Sequence, residues 1–203
     1  VLMEEAECYL ESDRLQRDGH MRRYAHRMTG GAMRTFIALY RATWDERFLK
    51  LAERMADFCY ENQTPDGIIR YDDVYMAPGL FTYYQATGDK RMLELFLRCM
   101  RKQAQLALPM SDPRAYSFYG PAMAFFATGD SSYLGRSVEW MNQFVACIDE
   151  TDDPFYRGRT KGHWDYCHLT VHLLYMPYLL EALAHCEEPV APKAVSYTHL
   201  TLP

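Results

Sequence analysis

Hydrophobic positions along this chain fall into two kinds of segment that alternate. In the first kind, apolar residues recur at helical spacing. Phe48, Leu51, Ala52, Met55 and Cys59 share one face, while Glu46, Lys50, Glu53 and Arg54 fall largely away from it. In the second kind, "GGAMRTFIALY", "VYMAPGLFTYY" and "YGPAMAFF", apolar residues run nearly all round, and small residues or proline come early. A helix that is apolar on every side is a buried one. Proline is tolerated near a helix start, because the N–H it lacks would have no intrahelical partner there. The pattern predicts inner helices walled in by amphipathic outer ones, with no strand. "YCHLTVHLLYMPYLLEALAHC" reads as a fourth inner helix, and "EEAECYLESDRL" as the outer helix of a preceding hairpin.

A repeat underlies the alternation. "IALYRATWDERFLKLAERMADF", "FTYYQATGDKRMLELFLRCM" and "MAFFATGDSSYLGRSVEWMNQF" each end an apolar helix with Ala-Thr, turn at Trp-Asp or Gly-Asp, and start a second helix. The Ala-Thr pairs begin at 42, 86 and 127, so the repeat runs 44 and then 41 residues. Asp45, Asp89 and Asp130 stand where an N-cap accepts from the first unpaired backbone N–H groups. A period of this size means stacked helical hairpins. It exceeds the tetratricopeptide period of about 34 residues and fits either a HEAT-like superhelix or an α/α toroid, a closed ring of hairpins. The linkers favour the toroid. Residues 62–72, 107–116 and 149–163 are long, rich in Pro, Gly, Asp, Arg and aromatics, and all join an outer helix to the next inner one. Long loops on one face of a repeat array mark its binding side. The expected fold is therefore all-α, an α/α toroid present as a fragment of about four helical hairpins over residues 1–193.

Composition narrows the partners. Hydrophobic residues at 49% and charged residues at 24% suit a globular core. The net charge of −5 speaks against nucleic acid, whose phosphates select a basic face. No apolar run is long enough to span a bilayer, so no membrane is expected. Compartment stays open between cytoplasm and periplasm, and oligomeric state is not set. The six cysteines lack the spacing of a zinc or redox motif, and Cys59, Cys99 and Cys147 sit in apolar helical patterns as buried thiols. The tail "AVSYTHLTLP", residues 194–203, resembles the translation of a transposon-end sequencing adapter and is set apart from the domain.

Candidate chemistry lies at the mouths of the inner helices. "YDDVYMAP" puts Asp72 and Asp73 between Tyr71 and Tyr75, just before the second inner helix. Either aspartate can be a helix cap. Alternatively, like-charge repulsion and desolvation raise one pKa enough for a general acid. "GHMRRYAHRMTGG" gathers Arg22, Arg23, His26 and Arg27 before the first inner helix, either as a solvated basic loop or as a clamp for a carboxylate or sulfate. "KGHWDYCHLTVH" supplies His163, Trp164 and Asp165: a titratable group, a stacking surface and a carboxylate. His168 and His172 stand four apart on one helix face. No third ligand accompanies them, so a hydrogen-bonded pair is favoured over a metal site, and no metal or cofactor is expected. Cys167 has no partner base assignable as for a nucleophile.

Two of these segments carry a family resemblance. "RMTGGAMRTFIALYRATWDERFLKLAER" resembles the first hairpin of unsaturated glucuronyl hydrolases, with its W-T-x-G opening and Y-x-x-T-G-D turn. "DVYMAPGLFTYYQATGD" is similar to their D-x-x-M-x-x-P…T-G-D segment. The match covers residues 27 to 100. Arg27 stands where the family has a further aspartate, Met28 where it has tryptophan, and the second segment is one residue shorter. The resemblance implies a six-hairpin toroid of the glycosidase kind and an acidic, uronate-containing oligosaccharide as substrate. It implies general acid/base catalysis with Asp73 as the proton donor. Asp72, Asp165 and His163 are the accompanying catalytic candidates. Arg22, Arg23, His26, Tyr71, Tyr75, Trp164 and His168 are the substrate-binding candidates. A polysaccharide lyase or epimerase on the same toroid, or a non-catalytic helical-repeat scaffold, are the competing expectations.

Overall fold

The computed structural model describes residues 7–8, 10–12, 25–63, 76–105, 119–148 and 176–186. Six helices follow one another: α1 (Ala25–Thr43), α2 (Glu46–Glu61), α3 (Met76–Thr87), α4 (Lys90–Gln105), α5 (Tyr119–Thr128) and α6 (Ser132–Ile148). Residues 176–184 are also helical, and no strand occurs among the described residues. Consecutive helices pair as hairpins, α1 with α2, α3 with α4 and α5 with α6. Across hairpins, α1 packs on α3 and α3 on α5, while α2 packs on α4 and α4 on α6. The helices therefore form two rows, odd-numbered and even-numbered, as the alternation of apolar and amphipathic segments predicts.

The core fills the space between the rows. Met33, Phe36 and Ile37 of α1, Phe48, Leu51 and Met55 of α2, Leu80 and Phe81 of α3, and Met92, Leu95 and Phe96 of α4 belong to one buried cluster. Phe36 stacks on Phe48 with ring centroids 6.1 Å apart, and Phe81 meets Phe96 at 5.0 Å. Each such side chain contributes about 1.5–3 kcal/mol by leaving water. Cys59 and Cys99 are buried thiols outside any disulfide in the same cluster, as small hydrophobes. Burial pushes the Cys59 thiol up to about 12.

Three short turns join the hairpins, and they share one construction. The backbone N–H groups of Trp44, Gly88 and Gly129 each donate to the carbonyl four residues back, at 2.7 Å. All three residues have positive φ, 59°, 75° and 73°, which is the left-handed helix end that favours glycine. The preceding threonines, Thr43, Thr87 and Thr128, donate to the carbonyls of Leu39, Tyr83 and Ala124. Each hydroxyl also accepts from the N–H of the following aspartate at 3.2 Å. Asp45, Asp89 and Asp130 then accept from the N–H of Arg47, Arg91 and Ser132, as N-caps do.

Arginines tie each of the first two turns to the preceding outer segment. Arg47 pairs with both Asp45 and Glu7, and Arg91 with both Asp89 and Asp57. Glu7 thus stands to the first turn as Asp57 stands to the second. Leu10, one helical turn on, joins the core cluster. Both facts support the reading of the N-terminal stretch as an outer helix.

Two expectations need correcting. The sequence places the whole run "GHMRRYAHRMTGG" ahead of the first inner helix, yet α1 begins at Ala25, inside that run. The reason is packing: Gly30 is buried, and a Cβ on Gly79 would stand 2.8 Å from Gly30 Cα, closer than real Cβ contacts come. The glycine marks a backbone-to-backbone crossing of α1 and α3 inside the helix, not its end. Nor are the inner helices buried all round. In α1, Thr35, Ala38 and Ala42 are exposed. In 176–184, Tyr178 and Leu180 are exposed, and burial is confined to Leu179 and Ala182.

Candidate functional site

The turns give a common level from which to measure along the odd-numbered row. Counting back nine residues from Thr43, Thr87 and Thr128 reaches Arg34, Pro78 and Tyr119. Pro78 is the third residue of α3 and Tyr119 the first of α5. For α3 and α5 this level lies at the linker end, opposite the short turns, while α1 runs a further nine residues beyond Arg34.

At that level side chains from separate elements meet. The Arg34 guanidinium lies over the Tyr119 ring, 5.6 Å from its centroid. The Tyr178 ring meets Tyr119 edge-on, 4.7 Å between centroids at 86°. Arg34 belongs to α1, Tyr119 to α5 and Tyr178 to the 176–184 segment, so the contact from α1 to α5 skips α3. Tyr119 is 7% exposed and Tyr178 38%, so the cluster runs from buried to wet. A guanidinium stacked on an aromatic ring is oriented by it, worth about 0.5–2 kcal/mol. Its donors lie in the guanidinium plane, the geometry in which arginine addresses carboxylates. Tyrosine rings offer stacking faces with a polar tip. The cluster has the chemistry to hold an anionic, ring-shaped ligand.

Arg34 carries no local mark in the sequence: it is one of three arginines spaced seven apart in α1, with Arg27 and Arg41. Tyr119 and Tyr178 lie within segments read as inner helices, and nothing in their neighbours sets them apart.

Of the residues expected to form the site, Arg22, Arg23, Tyr71, Asp72, Asp73, Tyr75, His163, Trp164, Asp165 and His168 lie outside the described residues. His26 falls in the first turn of α1, with its side chain outside the description. By chain order, Tyr75 directly precedes α3, and Asp73 is three residues before Met76. Among the described residues no group of three or more His, Cys, Asp or Glu side chains is placed to hold a metal ion. None of the described helices is long and apolar enough to cross a membrane.

Electrostatics are most marked at the turns. The side-chain hydrogen bond from Arg47 holds the Asp45 carboxyl below the usual carboxylate range, and Arg91 does the same for Asp89. For Asp130 the side-chain hydrogen bond of Ser132 comes first, with the charge of Arg101 assisting. These carboxylates are committed to capping and stay ionised, so they are unsuited to proton donation at neutral pH. Tyr83, buried in α3, is pushed up to about 12 by burial, helped by the charges of Glu53, Asp89 and Asp57. No family model, curated protein or solved structure matches this chain.

Proposed function

We propose that the chain is part of an α/α toroid whose odd-numbered helices line the inside, and that the protein is a glycoside hydrolase acting on an acidic oligosaccharide. The observation that carries this reading is the Arg34–Tyr119–Tyr178 cluster at the linker end of the odd-numbered row. Arg34 would take the sugar carboxylate, assisted by the arginines before α1, and Tyr119 and Tyr178 would border the ring. Asp73, three residues ahead of α3, would act as proton donor, its pKa raised by Asp72 beside it. Asp165 or His163 would serve as the second acid/base group.

The test is a screen of the purified protein against unsaturated uronate disaccharides and neutral aryl glycosides. Turnover of the uronates alone is expected. Asp73→Asn should lower kcat by a factor of about 10² or more, the low end of what general acid catalysis contributes. Arg34→Ala should raise KM with a smaller effect on kcat, as loss of uniform binding does. Full activity in Asp73→Asn, or turnover of neutral sugars only, rejects the assignment.

A further inference from the structure

The three hairpin turns differ at one position, and the difference has no explanation in folding. Gly88 and Gly129 occupy their positive-φ positions without strain, while the first turn places Trp44 there at φ 59°. A side chain in this region costs about 1–2 kcal/mol, and for a bulky residue it is a genuine outlier. Burial would offset that cost, but Trp44 is 76% exposed, well above the other exposed large hydrophobics. The indole meets Tyr40 edge-on, 5.9 Å between centroids at 72°. Tyr40 touches the indole without covering it.

The surroundings are polar. An open surface depression of about 510 Å³ lies between the last turns of α1 and α3, lined by Arg41, Tyr84, Gln85 and Gly88. Arg41 shares the final turn of α1 with Tyr40, and Gln85 is exposed. An apolar partner or a lipid would find too little to bury here. Nucleic acid is disfavoured by the overall charge of −5. What this end of the helices offers is one exposed aromatic plane, at the residue that follows the last turn of α1, and a polar depression that begins at Arg41 in that same turn.

We propose that Trp44 is a stacking platform for a pyranose ring, the centre of an oligosaccharide-binding surface site in which Arg41 and Gln85 bond the sugar hydroxyls. The C–H face of a sugar is apolar and flat enough to lie on indole, and its rim of hydroxyls suits an arginine and an amide. The site lies on the short-turn end of the helices, away from the Arg34 cluster. It stands or falls independently of the catalytic reading.

Retardation in native gels containing soluble glucomannan or polygalacturonate tests it, with thermal unfolding measured in parallel. The wild type should be retarded in at least one of the two polymers. Trp44→Gly should lose that retardation at least tenfold, and Arg41→Ala or Gln85→Ala should weaken it several-fold. The melting temperature of Trp44→Gly should hold or rise, because glycine relieves the positive φ. No retardation of the wild type in either polymer, or unchanged retardation of Trp44→Gly, overturns the proposal. A fall in the melting temperature of Trp44→Gly also overturns it, since Trp44 would then serve the fold.

Discussion

Gly79 of α3 lies against Gly30 of α1 with no room for a Cβ between the two backbones. The α1–α3 pairing is the most extensive in the described structure, and this crossing sets how closely the odd-numbered row is packed.

Substitution of Gly79 is therefore expected to be costly. Gly79→Ala forces the added methyl against a main chain that cannot rotate away, and should destabilise by about 1–3 kcal/mol, as overpacking does. Gly31 is the control. It neighbours Gly30 in the same helix, yet a Cβ there meets nothing within 4 Å. Gly31→Ala should stabilise by about 0.5–1 kcal/mol, the ordinary gain of alanine over glycine in a helix. Urea denaturation of the two variants checks this. Equal effects of both would mean the crossing is looser than described.

The rows and the turns were legible in the sequence because both rest on local rules. Helical spacing separates Phe48, Leu51 and Met55 from their polar neighbours, and an aspartate after Gly or Trp announces a cap. The start of α1 was misread because Gly30 and Gly31 look alike in sequence, and only the approach of Gly79 tells them apart. Arg34 and Tyr119 were missed for a related reason. They lie 85 positions apart in the chain, and their contact depends on how α1 and α5 are set around α3. Trp44 was read as a variant of Gly-Asp, which is correct for the backbone. Its conformational cost becomes visible only once φ is known.

The second prediction concerns charges shared between neighbouring turns. Arg91 reaches from the start of α4 to Asp57 on α2, Nη2 to Oδ1 at 3.0 Å. The third turn arranges the same positions differently: Ser132 stands in place of the arginine, and Arg101 on α4 occupies the position 44 residues after Asp57. Arg101 helps hold Asp130 ionised. Asp57→Arg alone should therefore destabilise, by setting two guanidinium groups together. Adding Arg91→Ser should recover most of the loss, by copying the third turn. Both side chains of the pair are nearly half exposed, so the coupling should be about 1 kcal/mol or less and shrink in high salt. A double-mutant cycle in low and high salt measures it. A coupling that does not respond to salt would point to packing on Tyr60, over whose ring Arg91 lies at 5.3 Å.

The third prediction follows from the buried acids of the core. The Cys59 thiol is raised from 9.0 to about 12 and the Tyr83 phenol from 10.0 to about 12. A raised folded pKa means that the folded state holds its proton when the unfolded state has released it. The stability from these groups is complete below the unfolded pKa and is lost as pH climbs towards the folded one. The thiol should begin to cost stability above pH 9, at up to about 1.4 kcal/mol per pH unit, and the phenol should join from pH 10. The turn aspartates act at the opposite end. Asp45, Asp89 and Asp130 are depressed, so their contribution is present above the ordinary carboxylate range and is lost as pH falls through their folded values. Denaturation profiles of Cys59→Ala and wild type between pH 8 and 10 isolate the thiol. The variant should start less stable, because a buried group is gone, but should decline less steeply above pH 9. Parallel slopes would show that Cys59 ionises as easily folded as unfolded, and would place it nearer water than the packing of α2 against α1 allows.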